Sequence, residues 1–336
     1  MAAAADTAAA RGKCTRRFAR NVKKNAKSLL NPGMIVRYTA RIVFLNARAK
    51  DAKRRGQNRD SEHFFAIKYS LSLFSYGKQM INRMKGFKPG LQSVDKRELY
   101  LKGIRSVVVL GDNGCRPPEM IDIDAFKKIL KIKTDFFIIV GDLVFKGEAG
   151  EFRKLMRLCR KAAGAPIFTL AGNHDLPMYS KFCGRTSYAI ILDRFGFICL
   201  DNAKRRFKQS DVDLLKGALK KHPEKKFFVL FHIPPPLRFD KSHIEYAEWE
   251  KIKRVLDKFK ERIVYVFCGH IHAFLNYRLD GYRIIITGGG GAKLFNLKED
   301  RLKAHHAVKL SALDGGQIKS HVIAVTGIKK QAEFKI

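Results

Sequence analysis

Hydrophobic and polar positions change their rhythm near residue 100. Before it, apolar residues recur every three or four positions. Ile35, Tyr38, Ile42 and Leu45 make one stripe, with Arg37, Arg41 and Arg48 on other faces. Asn31-Pro32-Gly33 breaks the chain ahead of that stripe. A second helix is predicted from Ser61, a residue suited to an N-cap, with Phe64, Ile67, Leu71, Phe74, Ile81 and Met84 along one face. After residue 100, unbroken apolar runs alternate with amphipathic segments. Runs at 104–110, 135–140 and 166–170 predict buried strands, and 123–132 and 148–163 predict the helices between them. Further strands are predicted at 197–200, 227–231 and 263–267, with helical patterns between. The last third reads as antiparallel: 282–287, 307–312, a turn at Asp314-Gly315-Gly316, then 318–325. The pattern is that of an α/β domain over residues 101–336, preceded over residues 1–100 by a basic, partly disordered and helical extension.

Charge adds a second observation. Lys and Arg number 67 against 31 Asp and Glu, a net charge of +36. Such a field attracts polyanions, so a phosphorylated substrate is expected, with an anionic membrane surface or nucleic acid as partners of the basic N-terminus. The apolar stripes before residue 100 fit either a membrane surface or docking on the neighbouring domain. The six cysteines are scattered without a C-x-x-C pair, and Cys199 and Cys268 fall in strand-like runs. That usage suits reduced, structural thiols. No stretch is apolar and long enough to span a bilayer. The expected location is the cytoplasm, with a membrane surface or an organelle as alternatives, because the acid-poor, Ala- and Arg-rich first fifty residues resemble a transit peptide in composition.

The chemistry lies where the strands end. The first run ends in Gly111-Asp112-Asn113-Gly114, the second in Gly141-Asp142, and the third leads into Gly172-Asn173-His174-Asp175. His232 ends the run at 227–231, and Gly269-His270-Ile271-His272 follows the run at 263–267. In α/β sheets ligands bind at the carboxyl ends of strands. Carboxylate, amide and imidazole donors together suit first-row transition metals, and these are more donors than one ion needs.

In this order the clusters resemble the five sequence blocks of the calcineurin-like metallophosphoesterases, over roughly residues 104–326. Leu200-Asp201, the Ile233-Pro234-Pro235 that follows His232, and the glycines at 288–291 add to the resemblance. It implies a four-layer α/β/β/α sandwich with mixed sheets and a dinuclear site that hydrolyses a phosphomonoester or phosphodiester. Carried over by position, Asp142 would bridge two divalent or trivalent ions (Mn, Fe, Zn or Ni). Asp112 and His272 would hold the first; Asn173, His232 and His270 would hold the second. His174 would be the general acid, oriented by a hydrogen bond from Asp175, and a metal-bridging hydroxide would be the nucleophile. The alternative is a non-catalytic protein of this fold that grips nucleic acid or anionic membrane through its N-terminus.

Two positions depart from the pattern. Most of the superfamily has a His where this chain has Gly114. The purple acid phosphatases also have Gly there, and supply instead a Tyr three residues after the second-block Asp; here that position is Phe145. The first ion is therefore short of a side-chain donor, with Asn113 and Cys115 beside the gap. A His in place of Gly114 is expected to tighten that ion if the turn accepts a Cβ.

Overall fold

Val107 and Val109 belong to one apolar cluster and Val108 and Leu110 to another, and all four are fully buried. A strand packed on both faces needs an unbroken apolar run, which is why these segments do not alternate. A computed structural model describes residues 86–326 and 333–335, apart from residues 239, 301 and 316. The strands are β1 (Gly90–Leu91), β2 (Glu98–Tyr100), β3 (Ser106–Leu110), β4 (Phe136–Val140), β5 (Pro166–Leu170), β6 (Tyr188–Ile191) and β7 (Phe195–Cys199). They continue with β8 (Lys226–Leu230), β9 (Ile263–Cys268), β10 (Phe274–Leu279), β11 (Tyr282–Thr287), β12 (His306–Ser311), β13 (Lys319–Ala324) and β14 (Glu333–Lys335). The helices are α1 (Ile123–Ile129), α2 (Ala149–Ala162), α3 (Tyr179–Cys183), α4 (Gln209–Lys221) and α5 (Tyr246–Leu256).

One sheet has the order β1-β5-β4-β3-β12-β13-β14 and the other β10-β11-β9-β8-β7-β6-β2. Both are mixed: β3, β4 and β5 run parallel, as do β7, β8, β9 and β11, while β12, β13 and β10 run against their neighbours. Between the sheets lies an aromatic spine. Phe168 meets Phe136 edge-on at 5.4 Å, Phe136 meets Phe197 of the facing sheet at 6.0 Å, and Phe197 stacks on Phe228 at 4.8 Å. Outside the first sheet, Phe126 and Ile129 of α1 and Phe152, Leu155 and Cys159 of α2 cover Val108, Phe137 and Ile139. Outside the second, Leu214 and Leu215 of α4 and Trp249 and Ile252 of α5 cover Ile198 and Val229. These are the four layers of the expected α/β/β/α sandwich.

Three details differ from the sequence reading. The domain does not begin at residue 101: β1 pairs with β5 and β2 with β6, and Phe87 packs on Phe168 at 5.2 Å. Segments this short carry no periodicity to read. The last third is not one antiparallel unit, because β11 pairs with β10 in a hairpin and runs parallel to β9, whereas β12 and β13 join the other sheet beside β3. The helices expected around residues 35–45 and 61–84 lie outside the described residues. Cys115, Cys159, Cys183, Cys199 and Cys268 are all free and buried. No helix among the described residues is long and apolar enough to cross a membrane.

The spine predicts where stability is concentrated. Phe228 touches Phe197, and its ring also lies near Phe195, Tyr265 and Phe267. Phe228→Ala should cost about 3–5 kcal/mol in urea unfolding, because the surrounding rings cannot all collapse into the space. A cost below about 1 kcal/mol would show that the two sheets are not held there.

Candidate metal centre

Asp112 follows β3, Asp142 follows β4, Asn173 and His174 follow β5, His232 follows β8, and His270 and His272 follow β9. Three of these strands belong to one sheet and two to the other, so the side chains converge where the sheets meet at one end of the sandwich. The approach is close. A Cβ on Gly172 would fall 2.2 Å from Asp142 Oδ1, and one on Gly269 would fall 2.6 Å from Asp112 Oδ2. The glycines at the strand ends are therefore space for the ligands. Asp112, Asp142 and His270 adopt positive φ (61°, 56° and 69°), a conformation that non-glycine residues seldom keep without function.

The donors fall into two groups, Asp112, Cys115 and His272, and Asp142, His232 and His270, each with its ligand atoms within 4.8 Å of one another. Asn173 Oδ1 joins the second, 3.2 Å from His232 Nε2. Asp142 Oδ2 lies 3.3 Å from His232 Nε2.

Each imidazole is turned by a carbonyl. Nδ1–H of His232 donates to Val140 O (2.7 Å), that of His272 to Lys293 O (2.8 Å), and that of His174 to Phe145 O (2.8 Å). This leaves Nε2 of His272 with a lone pair among the acids, as a metal ligand requires, and aims Nε2 of His232 at Asp142. Asn202 fixes the His232 loop, its Oδ1 accepting from His232 N and Ile233 N (3.0 Å each).

The electrostatics favour cations. Asp112 and Asp142 are 0% and 2% exposed. Burial and the charge of Asp142 push the Asp112 carboxyl well up, although His232 opposes them. Burial also works against Asp142, but the charge of His232 and its hydrogen bond, with that from His174 N, hold it below the usual carboxylate range. Burial would lower His232, yet Asp142 and Asp112 raise it to about 9. Burial holds His270 near 3 and His272 near 4, so both stay neutral and able to ligate. Two desolvated carboxylates beside the neutral imidazoles of His270 and His272 form a donor set that cations fit.

The hydrogen bond between Asp175 and His174 that the resemblance implies is not formed. The buried carboxylate of Asp175 accepts from the backbone N–H groups of Gly172, Asp142, Leu143 and Val144 at 2.8–3.1 Å. Burial, with the charge of Asp142, raises its pKa to about 8 against those hydrogen bonds. It ties the Asp142 loop to the His174 loop and orients His174 only through them. Phe145 offers no oxygen but stacks on the His174 ring, centroids 5.9 Å apart.

Beside Asp142, His174, His270 and His272, the cleft is lined by Cys115, Arg116, Arg205, Ser242 and Phe295. Phe295 stacks on His272 at 4.6 Å, and the Arg116 guanidinium sits 5.4 Å above the Phe295 ring. Arg205, at φ 60°, donates to His243 O. The sequence reading missed Arg116, Arg205, Asn202 and Phe295. Only Arg116 had a signal, its adjacency to the first block. The loop at 234–243 contributes Ser242 to the lining, whereas 176–187 contributes no residue.

A family model for calcineurin-like phosphoesterases matches residues 105–274. The 3',5'-cyclic adenosine monophosphate phosphodiesterase CpdA of Haemophilus influenzae is 24% identical over 177 residues, 48% of this chain and 64% of its own length. This chain thus spans less than two thirds of that relative. Among solved structures, the purple acid phosphatase PPD1 of yellow lupin (Lupinus luteus) superposes with a TM-score of 0.55 at 16% identity, over 70% of this chain and 55% of that one. GAP50, the anchor in the inner membrane complex of Plasmodium, gives 0.52 at 14% identity, over 69% of this chain and 89% of its own. A dimetal phosphatase from Danio rerio gives 0.50 at 10% identity, over 65% and 95%. At these identities the solved structures bear on the fold alone.

The turn at Gly114 does not accept a side chain. A Cβ there would lie 1.9 Å from Leu143 O, and Gly114 N already donates to Asp142 O at 3.1 Å. The condition for a tighter first ion is therefore not met, and His at this position should weaken metal binding instead. Gly114→Ala alone should cost about 1–3 kcal/mol by overpacking and reduce bound metal, as read by thermal denaturation and by metal content. Wild-type stability in Gly114→Ala would show that the turn relaxes freely.

Proposed function

The chain belongs to the calcineurin-like phosphoesterase family, and from that premise we propose that it hydrolyses phosphomonoesters or phosphodiesters with two bound transition-metal ions. The observation that carries this reading is the pair of donor groups, Asp112, Cys115 and His272 beside Asp142, His232 and His270, with His174 in the same cleft. Asp112, Asp142 and His272 would hold one ion; Asp142, Asn173, His232 and His270 the other. When bound, such ions neutralise phosphoryl oxygens and lower the pKa of water.

The protein's own groups do the rest. Arg116 and Arg205 present cations on the cleft wall and receive the non-bridging phosphate oxygens. His174 has Nδ1–H committed to Phe145 O, so Nε2 is the nitrogen that exchanges a proton with substrate. It delivers that proton to the leaving oxygen as the ester bond breaks. Phe145 and the Asp175-tied loops keep the ring in place.

The test is turnover of a panel of phosphomonoesters, cyclic nucleotides and nucleic acid by apo-protein supplied separately with Mn, Fe, Zn and Ni. Stripping the metal should abolish turnover and one of the ions should restore it. His174→Ala should lower kcat by ~10²–10⁴-fold for alkyl esters and much less for nitrophenyl esters, with bound metal unchanged. Equal loss for both ester types would remove the acid role.

The charge of +36 supports a second part of the proposal, contact of the segment before Gly86 with an anionic membrane surface or nucleic acid in or at the membranes of the cytoplasm. A chain beginning at Gly86 should keep small-ester turnover and lose binding to anionic vesicles or nucleic acid, whereas binding by the full chain should fall steeply with salt. Full retention of binding by the shorter chain would move the contact into the phosphoesterase domain. Binding with no turnover under any metal would favour the non-catalytic alternative.

A further inference from the structure

The first ion has one donor that neither the sequence blocks nor the family match assigns. Gly114 cannot supply it, because a Cβ would strike Leu143 O, and Phe145 brings only hydrocarbon. Asn113, whose Nδ2–H donates to Leu143 O (3.1 Å) and whose buried Oδ1 has no hydrogen-bond partner, does not line the cleft. Cys115 does line it. Its Sγ is 3.0 Å from His272 Nε2 and shares the 4.8 Å group with Asp112 and His272. His272 Nε2 is the nitrogen left bare by the Nδ1–H bond to Lys293 O, so thiol and imidazole lone pair point to one place. The other described cysteines are elsewhere: Cys159, Cys183, Cys199 and Cys268 belong to the apolar clusters.

We propose that Cys115 ligates the first ion through its sulfur, filling the position that Gly114 and Phe145 leave without a donor. This rests on the reading that the centre binds ions. Binding releases the thiol proton to solvent, since a coordinating thiol is deprotonated. The first shell is then Asp112, Asp142, His272 and Cys115, and the second Asp142, Asn173, His232 and His270. One sulfur makes the first position prefer thiophilic cations such as Zn, Co and Cd over Mg and Mn, while the sulfur-free second position keeps the broader range.

The experiment uses the full chain, stripped of metal and titrated with Co(II) while its absorption is recorded. A thiolate-to-cobalt charge-transfer band should rise in the near ultraviolet and saturate at one equivalent per chain, with ligand-field absorption continuing to a second equivalent. Cys115→Ser should lose the charge-transfer band and weaken the first position by at least the ~10–100-fold that losing an outer-shell partner costs, leaving the second equivalent in place. Cys268→Ser should retain the band. Should Cys115→Ser fail to fold, X-ray absorption of the zinc-loaded wild type decides: one sulfur at about 2.3 Å per two zinc ions is expected. Two equivalents of cobalt bound with no charge-transfer band, a band surviving in Cys115→Ser, or a zinc spectrum without sulfur each overturns the proposal and leaves the dinuclear reading standing. No bound cobalt or zinc in the wild type overturns both.

Discussion

Asp142 is held 2% exposed where the ends of β3, β4 and β5 meet the β8 and β9 loops. An ionised carboxylate there has lost its water, and only fixed donors or cations can replace it. His174 N and the His232 ring supply part of the replacement. Asp112 lies alongside with the same deficit, met partly by His270 N at 2.9 Å from both its oxygens. Much of the remaining architecture serves this concentration of negative charge. The glycines make room for it, three residues take positive φ to aim at it, and the carbonyls behind the imidazoles turn lone pairs towards it. Against the effect of burial, Asp142 and Asp112 raise the pKa of His232 to about 9.

Asp175 shows how the same chemical group takes another role when its surroundings change. It sits next to His174, and its carboxylate is as buried as that of Asp112. Four backbone N–H groups close around it, so it joins two strand-end loops rather than facing the cleft. The geometry that ligands need at Asp142 and His174 therefore depends on a residue that presents nothing to a ligand. Asn202 does the same for the His232 loop, from a segment that follows a different strand.

The sandwich explains why such a centre can be rigid. Both sheets are packed on both faces, and the aromatic spine ties Phe168 and Phe136 of one to Phe197 and Phe228 of the other. The strand ends are thereby fixed relative to each other, which loops alone could not achieve. Variation is left to the cleft wall, where Phe295 stacks on His272 and Arg116 lies over Phe295, and Arg205 and Ser242 approach from the second sheet's loops.

The sequence by itself determined the strands that are apolar on both faces and the polar clusters that end them, because burial on two sides leaves an unbroken run and a sharp turn leaves a glycine. That Asp112, Asp142, Asn173, His174, His232, His270 and His272 stand at strand ends was legible in the sequence. Short pairings were not: β1, β2 and β6 lack the length to show a period, and the partners of β11 and β12 depend on which sheet has a free edge. Nor could a sequence decide what lies through space. That Leu143 O occupies the space of a Gly114 side chain, that Asp175 turns to backbone rather than to His174, and that Cys115 meets His272 across 157 residues are consequences of packing two sheets together. Residue types and spacing set which donors exist, whereas the meeting of loops from separate strands sets which of them share an ion.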